Sequence, residues 1–268
     1  MSAPARRVER VVFSLPRIKR ATFVRQAELH RSIDSTNNRA KELAARAEIE
    51  TPLLVIAEAQ TAGRGRGSNV WWSAPGAVTF SLVLDLPTTH VGPESWPRFA
   101  LATAVAVCEG LEETLPDHTF GIRWPNDVFH QNQKICGILP ELCMHDAPRL
   151  VLGVGINVNN SLSHAPEDLR QAATSLIDLA GRRTNLTKFV STVLGRIEIS
   201  LADLKSQSAR VSDAWTSLCL LRGSTVTLNQ NGESHTGRCE GIDATGALVL
   251  RTGANAKQYY GGTIETIV

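Results

Sequence analysis

A chain of 268 residues, 43% hydrophobic and 20% charged, has the make-up of an ordinary globular protein, with room for one large domain or one large and one small. Its formal net charge of +2 supplies no whole-molecule pull toward nucleic acid or membrane. Five cysteines without a CxxC pair argue against a disulfide framework and for a reducing compartment, seven histidines show no zinc-ligand spacing, and no apolar run reaches the length of a membrane span.

The first 25 residues hold seven Lys/Arg against one acid, Glu9, and Val11-Val12-Phe13 is too short for a secretory core. Residues 1–28 therefore read as an Arg-rich, solvated and partly disordered arm. Ile33 to Asn38 is polar and turn-like, and leads into Ala40, Leu43, Ala44 and Ala47 on one helical face, with Ser35 or Thr36 as N-cap. Leu53-Leu54-Val55-Ile56-Ala57 reads as a buried strand, and the alternation Val78, Phe80, Leu82, Leu84, Leu86 as another. Between them lies QTAGRGRGSNVWW, Gln60 to Trp72. Its glycines let backbone N–H groups approach an anion, its arginines match carboxylate or phosphate, and a tryptophan face suits a flat heterocycle.

Pro87 to Pro97 reads as a loop and Phe99 to Leu115 as a buried, Ala-rich helix. Gly121 to Trp124 is a short strand stopped by Pro125, Asn126-Asp127 a turn, and Lys134 stands just before a strand over Ile135 to Cys143. Arg149 to Asn159 is a further strand; Pro166 to Leu179 reads as one amphipathic helix closed by Gly181, with helices over Lys188–Leu204 and Asp213–Leu221. From about Arg222 short β-rich runs alternate with tight turns, Asn231-Gly232 foremost, as in a small β-barrel. The expected fold is α/β (α+β) with a mixed sheet over 29–221, followed by a small barrel over 222–268.

Four polar clusters sit in loops or at strand ends: Ser35-Thr36-Asn37, Gln60 to Trp72, Arg123 to Lys134, and Gly153 to Asn157. They are rich in cations, amides and hydroxyls and hold no nucleophile–base pair, no GxSxG, no GxGxxG and no P-loop. What such groups can do is position two anions and neutralise their charge.

The blocks QTAGRGRGSNVWWS, RWPNDVF, QKICGILPEL and VLGVGINV, in this order, resemble the signature of biotin protein ligases, with DSTN (Asp34–Asn37), ATSL (Ala173–Leu176) and GIDATGALVL alongside. The resemblance runs from about Leu29 to the C-terminus. It implies a catalytic domain related to class II aminoacyl-tRNA synthetases and lipoate ligases, then an SH3-like barrel. It also implies a reaction in which biotin and ATP give biotinyl-5′-AMP, and biotin then passes to a lysine of a biotin carboxyl carrier protein. By resemblance Ser35, Thr36, Asn37 and Gln60 hold the biotin ring, with Gly63, Arg64, Gly65, Arg66, Lys134 and Gly137 lining the rest of its site. Arg66, Trp71, Asn126, Lys134 and Asn157 serve ATP, Trp71 by stacking on adenine. Lys134, Arg64 and Asp127 carry the chemistry, Asp127 toward the carrier lysine; Mg2+ comes with ATP and not on a protein site.

The sequence departs from many bacterial members in having Ser68, Asn69 and Val70 where they carry further basic residues, and Arg123 where Lys is commoner. The arm is too short for the winged helix of the repressor forms, so no DNA binding is expected. A cytoplasmic monomer or homodimer is expected. The rivals are a lipoate or octanoate ligase or transferase on the same fold, a single-stranded nucleic-acid binder using RGRG and Trp71/Trp72, and a catalytically dead carrier-binding protein.

Overall fold

The structure, a computed structural model, describes residues 13–86, 96–144 and 147–268. Most of the loop expected at Pro87–Pro97 and the first twelve residues of the arm lie outside that range. A seven-stranded sheet is built from β1 (Gln26–His30), β2 (Leu53–Ala57), β3 (Val78–Asp85), β4 (Gly121–Arg123), β5 (Asp127–His130), β6 (Gln133–Met144) and β7 (Pro148–Ile156). Its order is β1-β2-β3-β7-β6-β5-β4, with β1 and β2 parallel and every other pair antiparallel.

Both faces of this sheet are covered, which is why β2 is a continuous apolar run rather than an alternating one. Leu53 and Val55, with Val83 and Val151, pack against Ala40, Leu43 and Ala44 of α2 (Thr36–Ala44). Leu54 and Ile56, with Phe80, Leu82 and Leu152, face the main core under α3 (Trp96–Thr114) and α6 (Leu186–Ser206). The alanines of α3 let α6 come close: a Cβ on Gly110 would stand 2.9 Å from Val193 Cγ2. On the α2 face the strands stop being apolar past α2, at Thr79, Ser81, Gly137, Gly153 and Gly155, and there the sheet opens into a cleft.

After α4 (Glu167–Ala172), α5 (Leu176–Ala180), α6 and α7 (Ala209–Ser217), a second sheet runs β11-β10-β9-β8-β12. Its strands are β8 (Thr225–Gln230), β9 (Glu233–Ile242), β10 (Leu248–Thr252), β11 (Asn255–Tyr259) and β12 (Thr263–Ile267), all antiparallel. Asn231 and Gly232 both take positive φ, 55° and 87°, as a two-residue hairpin turn requires. Trp124 and Trp215 are buried and hang their indole N–H groups on this sheet's 243–246 turn, donating to Gly246 O (3.1 Å) and Asp243 O (2.9 Å).

The mixed sheet and the antiparallel C-terminal sheet are the fold expected, with four local differences, of which the simplest is that the helix expected over Asp213–Leu221 lies four residues earlier, as α7, capped by Ser208. The segment read as a solvated arm is packed from Phe13 on. α1 (Leu15–Ala21) buries Ile18 completely, Phe13 and Val24 join the main core, and β1 starts at Gln26, while Arg17, Lys19 and Arg20 stay exposed. The helix expected over Pro166–Leu179 is two helices: Ala173 is extended and bridges Lys134, and Thr174 N–H donates to Lys134 O at 2.9 Å. The turn at Asn126-Asp127 opens directly into β5, whose hairpin with β6 turns at Gln131 (φ 52°), so Lys134 lies inside β6 and not ahead of it.

Candidate active site

The cleft has a volume of about 450 Å³ and lies where β1 and β2 end and α2 begins. The parallel pairing of β1 and β2 continues past both strands as a bridge between Ile33 and Gln60, which brings Gln60 to the helix start. There Gln60 Oε1 accepts from Thr36 N–H (2.7 Å) and from Thr36 Oγ1 (3.0 Å). Ser35, the N-cap residue, makes no cap bond with its own side chain, so Gln60 satisfies the helix end while Ser35 lines the cleft. Ser81 Oγ lies 2.9 Å from Thr36 Oγ1 and 2.5 Å from Asn37 Oδ1, and the Asn37 amide donates to Leu139 O (3.2 Å) and Glu141 (2.8 Å). The result is a polar floor in which Thr36, Asn37, Gln60 and Ser81 are tied to one another or to the sheet before anything binds.

Glycine makes room for it. A Cβ on Gly153 would stand 2.2 Å from Asn37 Oδ1, and one on Gly155 would stand 2.5 Å from the Trp71 ring. Gly137 pairs with Gly155 across β6 and β7, and its Cβ would meet Lys134 Nζ at 3.3 Å and Trp71 at 3.5 Å. Trp71 thus rests on a glycine patch of the sheet. The Gln60–Trp72 stretch is a small folded excursion: Arg64 bridges Val70, Gly65 N–H donates to Asn69 O (2.8 Å), and Trp71 N–H to Gly63 O (3.0 Å).

Charge converges on the same cleft. Lys134 Nζ lies 2.7 Å from Asp127 Oδ1. Arg66 reaches the C-terminal sheet, donating to Gly262 O and, at 3.2 Å, to Thr263 Oγ1. Burial draws the Arg66 and Arg123 guanidinium pKa values below their usual range, and the charge of Asp127 opposes that. Arg64 spans Glu141 with two bonds of 3.2 and 3.0 Å and donates to Asn38 at 3.0 Å. Burial alone would raise the Glu141 carboxyl; hydrogen bonds from Lys41 and Asn37 and the charges of Lys41 and Arg64 instead carry it below its ordinary value.

Of the residues singled out in the sequence, Ser35, Thr36, Asn37, Gln60, Arg64, Gly65, Arg66, Trp71, Asn126, Asp127, Lys134 and Gly137 all line the cleft. Gly63 and Asn157 do not. Gly63 shapes the loop, since its Cβ would sit 2.5 Å from Trp71 O. Asn157 is buried and its Oδ1 accepts from Asn160, so it supports the strand end beneath the site. Asn126 faces the cleft while its amide donates to Ile138 O at 2.6 Å, holding β6 in place. Sequence reasoning gave no role to Glu141, Thr263 or Ile264 and placed Arg123 in a polar cluster without a task; Glu141, inside the QKICGILPEL block, and Arg123, inside RWPND, carried a signal, and Thr263 and Ile264 did not.

Comparison with known proteins bears on what this cleft is. Residues 29–157 match the model of the biotin/lipoate A/B protein ligase family, and residues 223–266 match that of the biotin protein ligase C-terminal domain. The bifunctional ligase/repressor BirA of Bacillus subtilis is 35% identical over 88% of this chain and 72% of its own length. The biotin–[acetyl-CoA-carboxylase] ligase of Mycobacterium tuberculosis is 30% identical over 85% and 84%. The chain belongs to the biotin protein ligase family. Its fold agrees: the biotin protein ligase of Aquifex aeolicus in complex with biotin and ATP superposes with a TM-score of 0.79 at 29% identity, over 90% of this chain and 98% of that one. In this biotin protein ligase the cleft residues fall entirely inside the two matched regions, Thr263 and Ile264 in the second and all others in the first. A lipoate ligase reading is not favoured, because the second match and the named relatives are those of biotin ligases.

Proposed function

We infer that this enzyme joins biotin to AMP from ATP and then passes biotin to a lysine of a biotin carboxyl carrier domain. The observation that carries this is the cleft's charge: Arg66, Arg123 and Lys134 crowd around one carboxylate, Asp127, beside the uncharged floor of Ser35, Thr36 and Gln60. The floor suits a neutral, hydrogen-bonding ring such as the biotin ureido group. The cations suit two anions that must meet, the biotin carboxylate and the α-phosphate.

Each residue then has a task. Ser35, Thr36, Asn37 and Gln60 hold the ring end, with the backbone at Gly65 and Gly137 leaving room for the chain and Gly63 shaping the loop behind it. Lys134 neutralises carboxylate and α-phosphate as the new bond forms, worth most in the transition state because both charges then share one centre. Arg64 and Arg66 exchange Glu141 and the Gly262 carbonyl for substrate oxygens. Trp71 stacks on adenine from its seat on Gly155, and Asn126 flanks the nucleotide. Asp127 orients Lys134 in the first step and draws a proton from the carrier lysine in the second.

Mg2+ would arrive on the phosphates of ATP, where it would neutralise their charge; Asp127 is the carboxylate lining the cleft that could meet it. The division near residue 221 belongs to this reading too, as does a cytoplasmic setting, which five free cysteines suit. The test is biotin-dependent exchange of pyrophosphate into ATP, with wild type and Lys134→Ala. Wild type should exchange, and the variant should be slower on the order of 100-fold or more. Equal rates would remove Lys134 from its role.

A further inference from the structure

We propose that Arg123 is a further catalytic residue, one that receives the pyrophosphate as it leaves ATP; the proposal rests on the ligase reading above. Four cationic side chains line the cleft: Arg64, Arg66, Arg123 and Lys134. Three are already engaged. Lys134 is paired with Asp127 at 2.7 Å, Arg64 with Glu141 at 3.0 Å, and Arg66 with Gly262 and Thr263. The Arg123 side chain makes no hydrogen bond to any described residue, and its Nε is buried without a partner, while its backbone pairs with Asp127 in the sheet. Its guanidinium carbon lies over the Phe129 ring, 3.8 Å from the centroid. Stacking on Phe129 fixes the plane of the fork, and Arg123 lines the cleft with its guanidinium donors unpartnered. A planar, charged, unpartnered fork matches an anion that binds through two oxygens.

Strand order says which anion. The polar floor stands over β3 and β7 through Ser81 and Gly153, Lys134 is on β6, Asp127 on β5 and Arg123 on β4, next to one another in that sequence across the sheet. In the first step a biotin carboxylate oxygen bonds to the α-phosphorus. The bond from that phosphorus to the oxygen bridging the β-phosphate breaks, and its electron pair departs on pyrophosphate. Displacement is in line, so nucleophile, phosphorus and leaving group share an axis. With the biotin ring over β3 and β7 and Lys134 at the α-phosphate, the axis ends at Arg123. Charge grows on the leaving oxygens in the transition state, where a preorganised fork contributes most.

The experiment uses Arg123→Met and Arg123→Lys in the full chain, with two readouts. One is the pyrophosphate dependence of biotin-dependent exchange; the other is transfer to a carrier domain from added biotinyl-5′-AMP, which involves no pyrophosphate. Arg123→Met should raise the pyrophosphate needed for half-maximal exchange at least tenfold, on the order of 100-fold at the upper end, and lose far less in transfer. Arg123→Lys, which keeps charge without the fork, should fall between. An unchanged pyrophosphate dependence, or an equal loss in both readouts, overturns the proposal, the latter by making Arg123 structural. No exchange by wild type is a separate result that overturns the ligase reading itself.

Discussion

At the level of single residues, the missing Cβ atoms on β6 and β7 decide what the cleft can hold. Gly153 admits the Asn37 amide, which ties the cleft floor to Leu139 and Glu141, and Gly155 admits Trp71. Gly153→Ala would drive a methyl into Asn37 Oδ1, a contact of 2.2 Å against β-sheet backbone that cannot retreat. The expected outcome is a loss of biotin affinity of at least tenfold by titration calorimetry, with a stability cost of about 1–3 kcal/mol from overpacking. Affinity equal to wild type would mean that Asn37 is no part of the biotin floor. The sequence marked Gly153 to Asn157 as one of four polar clusters but not what the glycines admit, because Asn37 and Trp71 come from distant parts of the chain. Lys134 was no more legible from its own neighbours, Gln131, Asn132 and Gln133, which read as a solvated turn; family resemblance singled it out, and the hairpin of β5 and β6 brings it to Asp127.

Among the elements, those with a strong period were legible and those made by long-range pairing were not. The buried run of β2, the alternation of β3 and the length of α3 and α6 follow from local pattern. β5 spans four residues and exists because β4 and β6 flank it. The break between α4 and α5 exists because Ala173 and Thr174 pair with Lys134, which the continuing amphipathic spacing hides. α1 was masked by its charge: seven residues with Arg17, Lys19 and Arg20 outward look solvated, yet Ile18 is fully buried. Ile18→Ala should therefore destabilise the protein by about 2–5 kcal/mol in urea titrations. A change below about 0.5 kcal/mol would return the segment to the status of a loose arm.

Over the whole molecule, the two sheets act as one enzyme because the second closes the site of the first. Trp124 and Trp215 anchor the 243–246 turn, and Thr263 and Ile264 then stand at the cleft, where Arg66 bonds to Gly262 and Thr263. The presence of two units was legible in the change of character near Arg222; their contact was not, because it is made by residues far apart in sequence, Leu101, Trp124 and Trp215 sharing one core with Val226, Ile242 and Leu248, and Arg66 reaching Gly262. Both sheets serve one outcome, a biotin amide on a carrier lysine, and that product is the most direct measurement. Purified protein, biotin, Mg-ATP and a biotin carboxyl carrier domain are incubated and the carrier is probed with streptavidin. Labelling that requires both biotin and ATP is the predicted result; an unlabelled carrier with the folded wild-type protein would contradict the account.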